Sequence, residues 1–214
     1  MTLASKLRNT ALLLGGHGVE LSRETWDGEY RARQWDYLRG LDQMPRYGVI
    51  AGYLRHLRPG GSILDVGCGE GILRDVLPSE SYSRYTGIDL SGVAIENARA
   101  GADARCTFEQ GDAAAWRTDA AFDVIVFNEA IYYFYEPVTI LRRYEQFLLP
   151  GGLFVISMYS RGGNTRGIWR KVRRAYAGLH ATRVKCGFLH AWDVRVFSPA
   201  GAPDGGRGTG HVGR

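Results

Sequence analysis

Cysteine is scarce in this chain, and long apolar runs are missing from it. Its three cysteines, Cys68, Cys106 and Cys186, are odd in number and widely spaced. They make neither a disulfide framework nor a zinc site, and a reducing compartment suits them best. The longest early apolar run, Ala11–Leu14 behind Lys6 and Arg8, is too short to span a bilayer and carries no small-residue cleavage site. The expected location is therefore the cytoplasm. Lysine is nearly absent too: only Lys6, Lys171 and Lys185 stand among 27 Lys and Arg, against 22 Asp and Glu. A formal charge of +5 is well below the strongly basic footprint of a nucleic-acid binder. No internal repeat is visible. With 214 residues, 45% hydrophobic and 23% charged, the chain has the composition of one ordinary globular domain with a short extension, rather than two full domains.

Periodicity divides what is present. Residues 1–58 are dense in aromatics and charge, with Trp26, Tyr30, Trp35 and Tyr37. They close with a stripe of Tyr47, Val49, Ile50, Tyr53, Leu54 and Leu57 at helical steps, stopped by Pro59-Gly60-Gly61. Short branched runs then alternate with helical stretches. Strands are expected at Ser62–Val66, Tyr85–Asp89, Arg105–Gln110, Phe122–Phe127 and Leu153–Met158. Helices are expected at Gly71–Leu77, Ser91–Ala100 and Pro137–Leu149. Such alternation makes a doubly wound α/β fold with a mostly parallel sheet. After an Arg-rich helix at Thr165–Ala177, His180–Lys185 and Trp192–Phe197 read as an antiparallel hairpin, with Trp192, Val194 and Val196 on one face. Residues 199–214 form a Gly/Pro-rich tail without core residues, expected to be flexible.

The segment Ile63-Leu64-Asp65-Val66-Gly67-Cys68-Gly69-Glu70-Gly71 runs from a strand end into a helix. Its glycines permit a tight turn and close approach of backbone to a ligand. The spacing fails the dinucleotide pattern by one residue, because Ile72 stands where the third glycine of G-x-G-x-x-G is needed. An acid, Asp65, precedes the glycines, and Asp89 ends the next strand, placed to accept from both hydroxyls of a ribose. Two carboxylates favour a cationic ligand over a pyrophosphate. An adenosine carrying positive charge describes S-adenosylmethionine.

Together with Gly111-Asp112, Phe122–Glu129 and Leu148–Ile156, these segments resemble the ordered motifs of class I S-adenosylmethionine-dependent methyltransferases, over about residues 58–197. The resemblance implies a Rossmann-like seven-stranded sheet, with 59–198 as the cofactor-binding core and 1–58 as a helical lid. It also implies binding roles: Asp65, Gly67, Cys68 and Gly69 around the methionine amino group, Asp89 on the ribose, Leu90 against adenine. Asp112, followed by Ala113, matches the adenine-amino contact, and Asn128 presents its backbone carbonyl near the ligand's amino group. Asp112 also suits a helix N-cap, and the two roles are compatible.

Beyond the fourth strand, Glu129, Tyr132 and Tyr133 are candidates for substrate contact or general base. Packing of the tyrosines, and a helix-dipole role for Glu129, are the competing readings. The Glu-x-x-Tyr-Tyr segment is similar to that of bacterial small-molecule methyltransferases, including nodulation-factor N-methyltransferases. Neither Asn-Pro-Pro-Tyr nor the Glu-x-x-His of metal-dependent RNA-end enzymes is present, so no metal is expected. In the lid, Trp35, Tyr30 and Arg46 are expected to line the site, Arg46 as donor to the ligand's carboxylate and Tyr30 toward the substrate. A surface arginine among core aromatics is the alternative.

No Asp or Glu lies between Gln146 and Trp192, where eight Lys and Arg occur. Arg166, Arg170, Arg173 and Arg174 share one face of the Arg-rich helix, opposite Ile168, Val172, Ala175 and Tyr176. A solvated face is the plain reading, and phosphates of RNA, lipid or a nucleotide-sugar are the alternative. The leading expectation is methyl transfer to an oxygen or nitrogen of a small metabolite, such as a sugar or polysaccharide precursor, by a monomer or homodimer. The rivals are an RNA methyltransferase using the arginine face and a non-catalytic S-adenosylmethionine-binding protein.

Overall fold

A computed structural model describes residues 16–160, 164–187 and 190–199. The tail from residue 200 and the first fifteen residues lie outside the described part. Seven strands form one sheet in the order β3-β2-β1-β4-β5-β7-β6. They are β1 (Gly60–Val66), β2 (Tyr82–Asp89), β3 (Cys106–Gln110), β4 (Phe122–Asn128), β5 (Leu148–Tyr159), β6 (Ala177–Cys186) and β7 (His190–Ser198). The first five pair in parallel, while β7 runs antiparallel to both β5 and β6. The expected doubly wound sheet with an antiparallel hairpin is therefore present.

The helices are α1 (Arg23–Arg31), α2 (Met44–Leu57), α3 (Ile72–Val76), α4 (Gly92–Ala100), α5 (Pro137–Tyr144) and α6 (Thr165–Ala175). They split the core into two layers because successive residues of a strand point to opposite faces. On one face Ile63, Val124, Val126, Val155, Trp192, Val194 and Val196 pack with Tyr47, Ile50 and Leu54 of α2. On the other, Leu64, Val66, Ile125, Phe127, Phe154 and Ile156 meet Ile140, Leu141 and Tyr144 of α5 and Ile168 and Val172 of α6. The stripe read on α2 thus belongs to the sheet-covering layer, and the aromatic segment ahead of it forms the cover over the sheet edge. On α6 the four arginines are exposed and Ile168, Val172 and Tyr176 buried, as the helical spacing requires.

The expected boundaries shift by up to five residues, most at the junction of α5 and β5, while β2 and β6 each begin three residues early. Helix α5 ends at Tyr144 rather than Leu149, followed by a short 3-10 turn at Glu145–Phe147, and β5 begins at Leu148. The ladder with β4 is irregular between Phe122 and Val124, and such a shift tolerates Pro150, which has no amide hydrogen to donate. The 112–116 segment is a hydrogen-bonded turn rather than a helix start: Asp112 Oδ1 accepts from Ala114 N at 2.8 Å, and its carbonyl accepts from Ala115 and Trp116.

β1 is flanked by β2 on one side and β4 on the other, so the chain leaves β1 in one direction and later returns to its opposite side. At such a switch point the loops after the two strands diverge and open a crevice beyond their carboxyl ends. No helix among the described residues is long and apolar enough to cross a membrane.

Candidate ligand site at the sheet switch point

A cavity of about 570 Å³ fills that crevice, within the range usual for small-molecule sites. Its floor is the loop after β1. Gly67 (φ +73°) and Gly69 (φ +54°) hold left-handed conformations that disfavour a Cβ. A Cβ on Gly67 would also lie 2.6 Å from the Ala130 Cβ, and one on Gly69 would lie 2.7 Å from the Tyr30 hydroxyl. Gly67 N and Cys68 N both donate to Ile88 O, tying this loop to the end of β2. Cys68 lines the cavity but is buried, and burial pushes its thiol well above the usual range, so it is no nucleophile.

Asp89 lines the cavity beside that loop. Its Oδ2 accepts from Gly69 N and its Oδ1 from Ser91 N, each at 2.9 Å. A carboxylate has about four acceptor positions, so even with a further backbone bond from Leu90 the group keeps capacity for a ligand. Leu90, Asp112, Ala113 and Asn128 line the cavity as well. Asp65 does not. It is buried behind the loop, its Oδ2 takes the Tyr85 hydroxyl at 2.5 Å, and its Oδ1 has no partner. Burial, with a further push from Asp89, raises its carboxyl to about 7 despite the Tyr85 bond.

Across the cavity stands Arg46. It is 1% exposed, so the surface-arginine alternative is excluded. Its guanidinium lies 4.5 Å from the Tyr47 ring centroid and 5.5 Å from that of Trp192. Its Nη1 is 3.7 Å from Glu129 Oε1, whereas Nε and Nη2 have no hydrogen-bond partner. Buried guanidinium hydrogens without acceptors are costly. Beyond the Glu129 contact, Arg46 therefore keeps two donor nitrogens without a partner at the wall of the cavity.

Glu129 sits at the end of β4 with φ +59°, strained for a side chain of its kind. A dense network holds it there. Its Oε2 accepts from the Tyr132 hydroxyl (2.9 Å) and Tyr159 N (3.0 Å). Ser157 Oγ accepts from Glu129 N at 3.1 Å, and shares its one proton between Asn128 Oδ1 (2.8 Å) and Glu129 Oε1 (2.9 Å). Burial raises the Glu129 carboxyl, and Arg46, Ser157 and Tyr132 offset part of that. Only a three-residue 3-10 turn, Ile131–Tyr133, follows Glu129 before the helix at Pro137, too short for an appreciable dipole, so the helix-dipole reading of Glu129 does not apply. Burial and the Glu129 charge lift the Tyr132 phenol well above its usual range and the Tyr133 phenol to about 12. Both are donors rather than bases near neutral pH.

The segment before α2 roofs the cavity with Trp26, Tyr30, Trp35, Tyr37 and Leu38. Trp26 meets Trp35 at 5.7 Å between ring centroids and Tyr133 edge-on at 4.8 Å. Trp35 Nε1 donates to Glu29 at 3.1 Å. Helix α1 is anchored through Asp27, whose Oδ1 accepts from Ser91 Oγ (2.6 Å) and Val93 N (3.3 Å) at the start of α4. Gln43, Tyr159, His190 and Trp192 complete the wall, and no sequence motif pointed to them. Trp192 was placed inward by the alternation along β7. Because β7 is antiparallel, its first residues lie beside the carboxyl end of β5, with Tyr159 opposite Trp192. Among the described residues no group of three or more His, Cys, Asp or Glu could hold a metal ion.

Residues 57–195 match a family model described as a methyltransferase domain. The 27-O-demethylrifamycin SV methyltransferase of Amycolatopsis mediterranei is 30% identical over 141 residues, 63% of this chain and 49% of that protein. Phosphoethanolamine N-methyltransferase 3 of Arabidopsis thaliana is 35% identical over 115 residues, 51% of this chain and 23% of that protein. The chain thus spans half or less of the length of these relatives. Among solved structures, the N-methyltransferase NodS of Bradyrhizobium japonicum, in complex with S-adenosyl-L-homocysteine, superposes with a TM-score of 0.66. It shares 19% identity, covering 78% of this chain and 91% of that one, and shows the fold.

Proposed function

The chain belongs to the methyltransferase-domain family, and from that premise we propose that it is an S-adenosylmethionine-dependent methyltransferase acting on an oxygen or nitrogen of a small metabolite. The observation that carries this reading is the pairing, across one cavity, of Asp89 with acceptor positions to spare and Arg46 with buried donors that lack partners. Those two groups suit the two ends of an adenosyl amino acid, ribose hydroxyls at one end and a carboxylate at the other.

In this assignment Asp89 takes the ribose hydroxyls, with Leu90, Asp112 and Ala113 around the adenine. Gly67, Cys68, Gly69 and the Asn128 carbonyl surround the amino group, and Asp65 supplies negative charge from behind the loop. Arg46 holds the carboxylate, itself fixed by Glu129 and by the rings of Tyr47 and Trp192. When bound, S-adenosylmethionine supplies a methyl carbon already activated by its sulfonium. The protein's work is then alignment and exclusion of water. Tyr30, Trp35, Tyr37 and Tyr133 close over the cavity and press the acceptor toward the floor, with Glu129 and Tyr132 fixing the wall beneath it.

The arginine face of α6 contributes no residue to the cavity, which supports a small acceptor over RNA. Calorimetry with S-adenosylhomocysteine tests the assignment. Asp89→Ala removes two charge-assisted hydrogen bonds, worth roughly 1.5–3 kcal/mol each, so affinity should fall about a hundredfold or more while the free variant still melts cooperatively. Unchanged affinity would place the nucleotide elsewhere. Tight cofactor binding with no methyl transfer to any of a broad metabolite panel would favour the non-catalytic reading.

A further inference from the structure

One corner of the cavity is left without a role by the cofactor contacts. His190, at the start of β7, lines it beside Trp192, the two rings nearly parallel at 5.7 Å and 10°. Tyr159 completes the corner, its centroid 6.4 Å from His190 and 5.9 Å from Trp192. Asp42, in the turn leading into α2, places Oδ2 3.5 Å from His190 Nε2, and Gln43 Nε2 donates to the same oxygen at 3.3 Å. A carboxylate at Nε2 keeps the imidazole proton on that nitrogen and makes Nδ1 the basic one. Longer-than-ideal contacts of this kind are common before substrate binds. The other candidates for a base are poorly placed: both Glu129 oxygens are engaged, and the Tyr132 phenol already donates to one of them.

Resting on the methyltransferase reading above, we propose that His190, oriented by Asp42, is the general base for an acceptor hydroxyl, and that the acceptor is a phenolic ring laid against Tyr159, beside the imidazole. Stacked or edge-on packing on aromatic walls selects a planar ring. A phenol, with a pKa of about 10, is acid enough to pass its proton to imidazole as its oxygen becomes the nucleophile. In the step, the hydroxyl proton moves to Nδ1 of His190 and the oxygen lone pair forms the new O–CH₃ bond. The C–S bond breaks with its electron pair left on sulfur, giving S-adenosylhomocysteine, and the imidazolium then releases its proton to solvent. The groups facing His190 are Asp42 from the turn before α2, Tyr159 from β5, Cys186 opposite it on β6, and Arg46 behind Trp192.

The test uses the full chain with S-adenosylmethionine and three probes: catechol, the more acidic 4-nitrophenol, and benzylamine. His190→Gln should lower kcat/KM on catechol about a hundredfold or more and on 4-nitrophenol less, with S-adenosylhomocysteine affinity unchanged by calorimetry. Asp42→Asn should give a smaller loss, confined to kcat with KM for catechol unchanged, and Asp42→Glu should restore most of it, a split and a rescue that a purely structural role would not give. A readout free of turnover is the absorbance of 4-nitrophenol on the S-adenosylhomocysteine-loaded protein. Its phenolate band should appear at lower pH than for free 4-nitrophenol, and His190→Gln should remove that shift. Unchanged catechol kinetics in His190→Gln, equal losses on both phenols, or a wild type that binds S-adenosylhomocysteine yet methylates only benzylamine or no probe each overturns this proposal alone. A wild type that does not bind S-adenosylhomocysteine overturns the parent reading with it.

Discussion

Asp65→Asn should make the free protein more stable at neutral and alkaline pH while weakening its hold on the cofactor. The Asp65 carboxyl is 1% exposed, has one hydrogen-bond partner, and is raised from 3.8 to about 7 by burial. An acid whose pKa is higher folded than unfolded binds more protons in the native state, so stability falls as pH rises. The loss begins near pH 4, grows to about pH 7 and is then flat. Three units at about 1.4 kcal/mol each make it about 4 kcal/mol at pH 8, an upper bound because the buried site can relax. For a chain of this size that corresponds to roughly 10 °C in Tm. Asparagine keeps an acceptor for Tyr85 and removes the ionisation. Melting curves of the two proteins, followed by circular dichroism from pH 4 to 9 without ligand, should coincide at the acid end. They should then separate steadily to pH 7, the variant melting higher. S-adenosylhomocysteine affinity at pH 8 should be lower in the variant under the proposed assignment, because the negative charge behind the glycine loop is gone. Parallel melting curves across the whole range would refute the claim that Asp65 is the charge the fold carries at a loss.

Gly67→Ala should be destabilising by roughly 1–3 kcal/mol, since it combines a left-handed φ with a Cβ only 2.6 Å from that of Ala130; urea denaturation measures it, and a loss below about 0.5 kcal/mol would show that the loop relaxes. Reversing Arg166, Arg170 and Arg173 to glutamate should leave cofactor affinity and turnover of a small acceptor within about twofold, because these exposed side chains contribute nothing to the cavity wall and exposed charges are screened at physiological salt. Loss of turnover in that variant would bring the arginine face into the catalytic cycle.

The alternation of short branched runs with helical stretches was enough to reveal the sheet, since strands buried on both faces have little choice of residue. The glycine loop and Asp89 were legible for the same local reason: their chemistry follows from neighbours within a few positions. What escaped depends on juxtaposition of distant segments. The place of Arg46 at the site is expected, but its burial behind Trp192 follows only from the packing of α2 on β6 and β7. His190 and Tyr159 enter the site because β7 runs antiparallel beside β5, and no pattern within either strand encodes that register. Asp65 was the converse case. Its place in the motif was plain, but its side chain turns behind the loop toward Tyr85, so it does not line the cavity.

The bond from Asp27 to the start of α4 has a dynamic consequence. Ser91 caps that helix through Ala94 N, and Asp27 on the covering helix takes Val93 N. Raising the cover removes the acceptor of an amide at the helix start, so the Val93 amide should exchange with deuterium at the rate set by opening of the cover. A ligand that holds the cover down slows that exchange, and by reciprocity a stiffer α4 start holds the ligand more tightly. One backbone hydrogen thereby serves as a clock for access to the cavity.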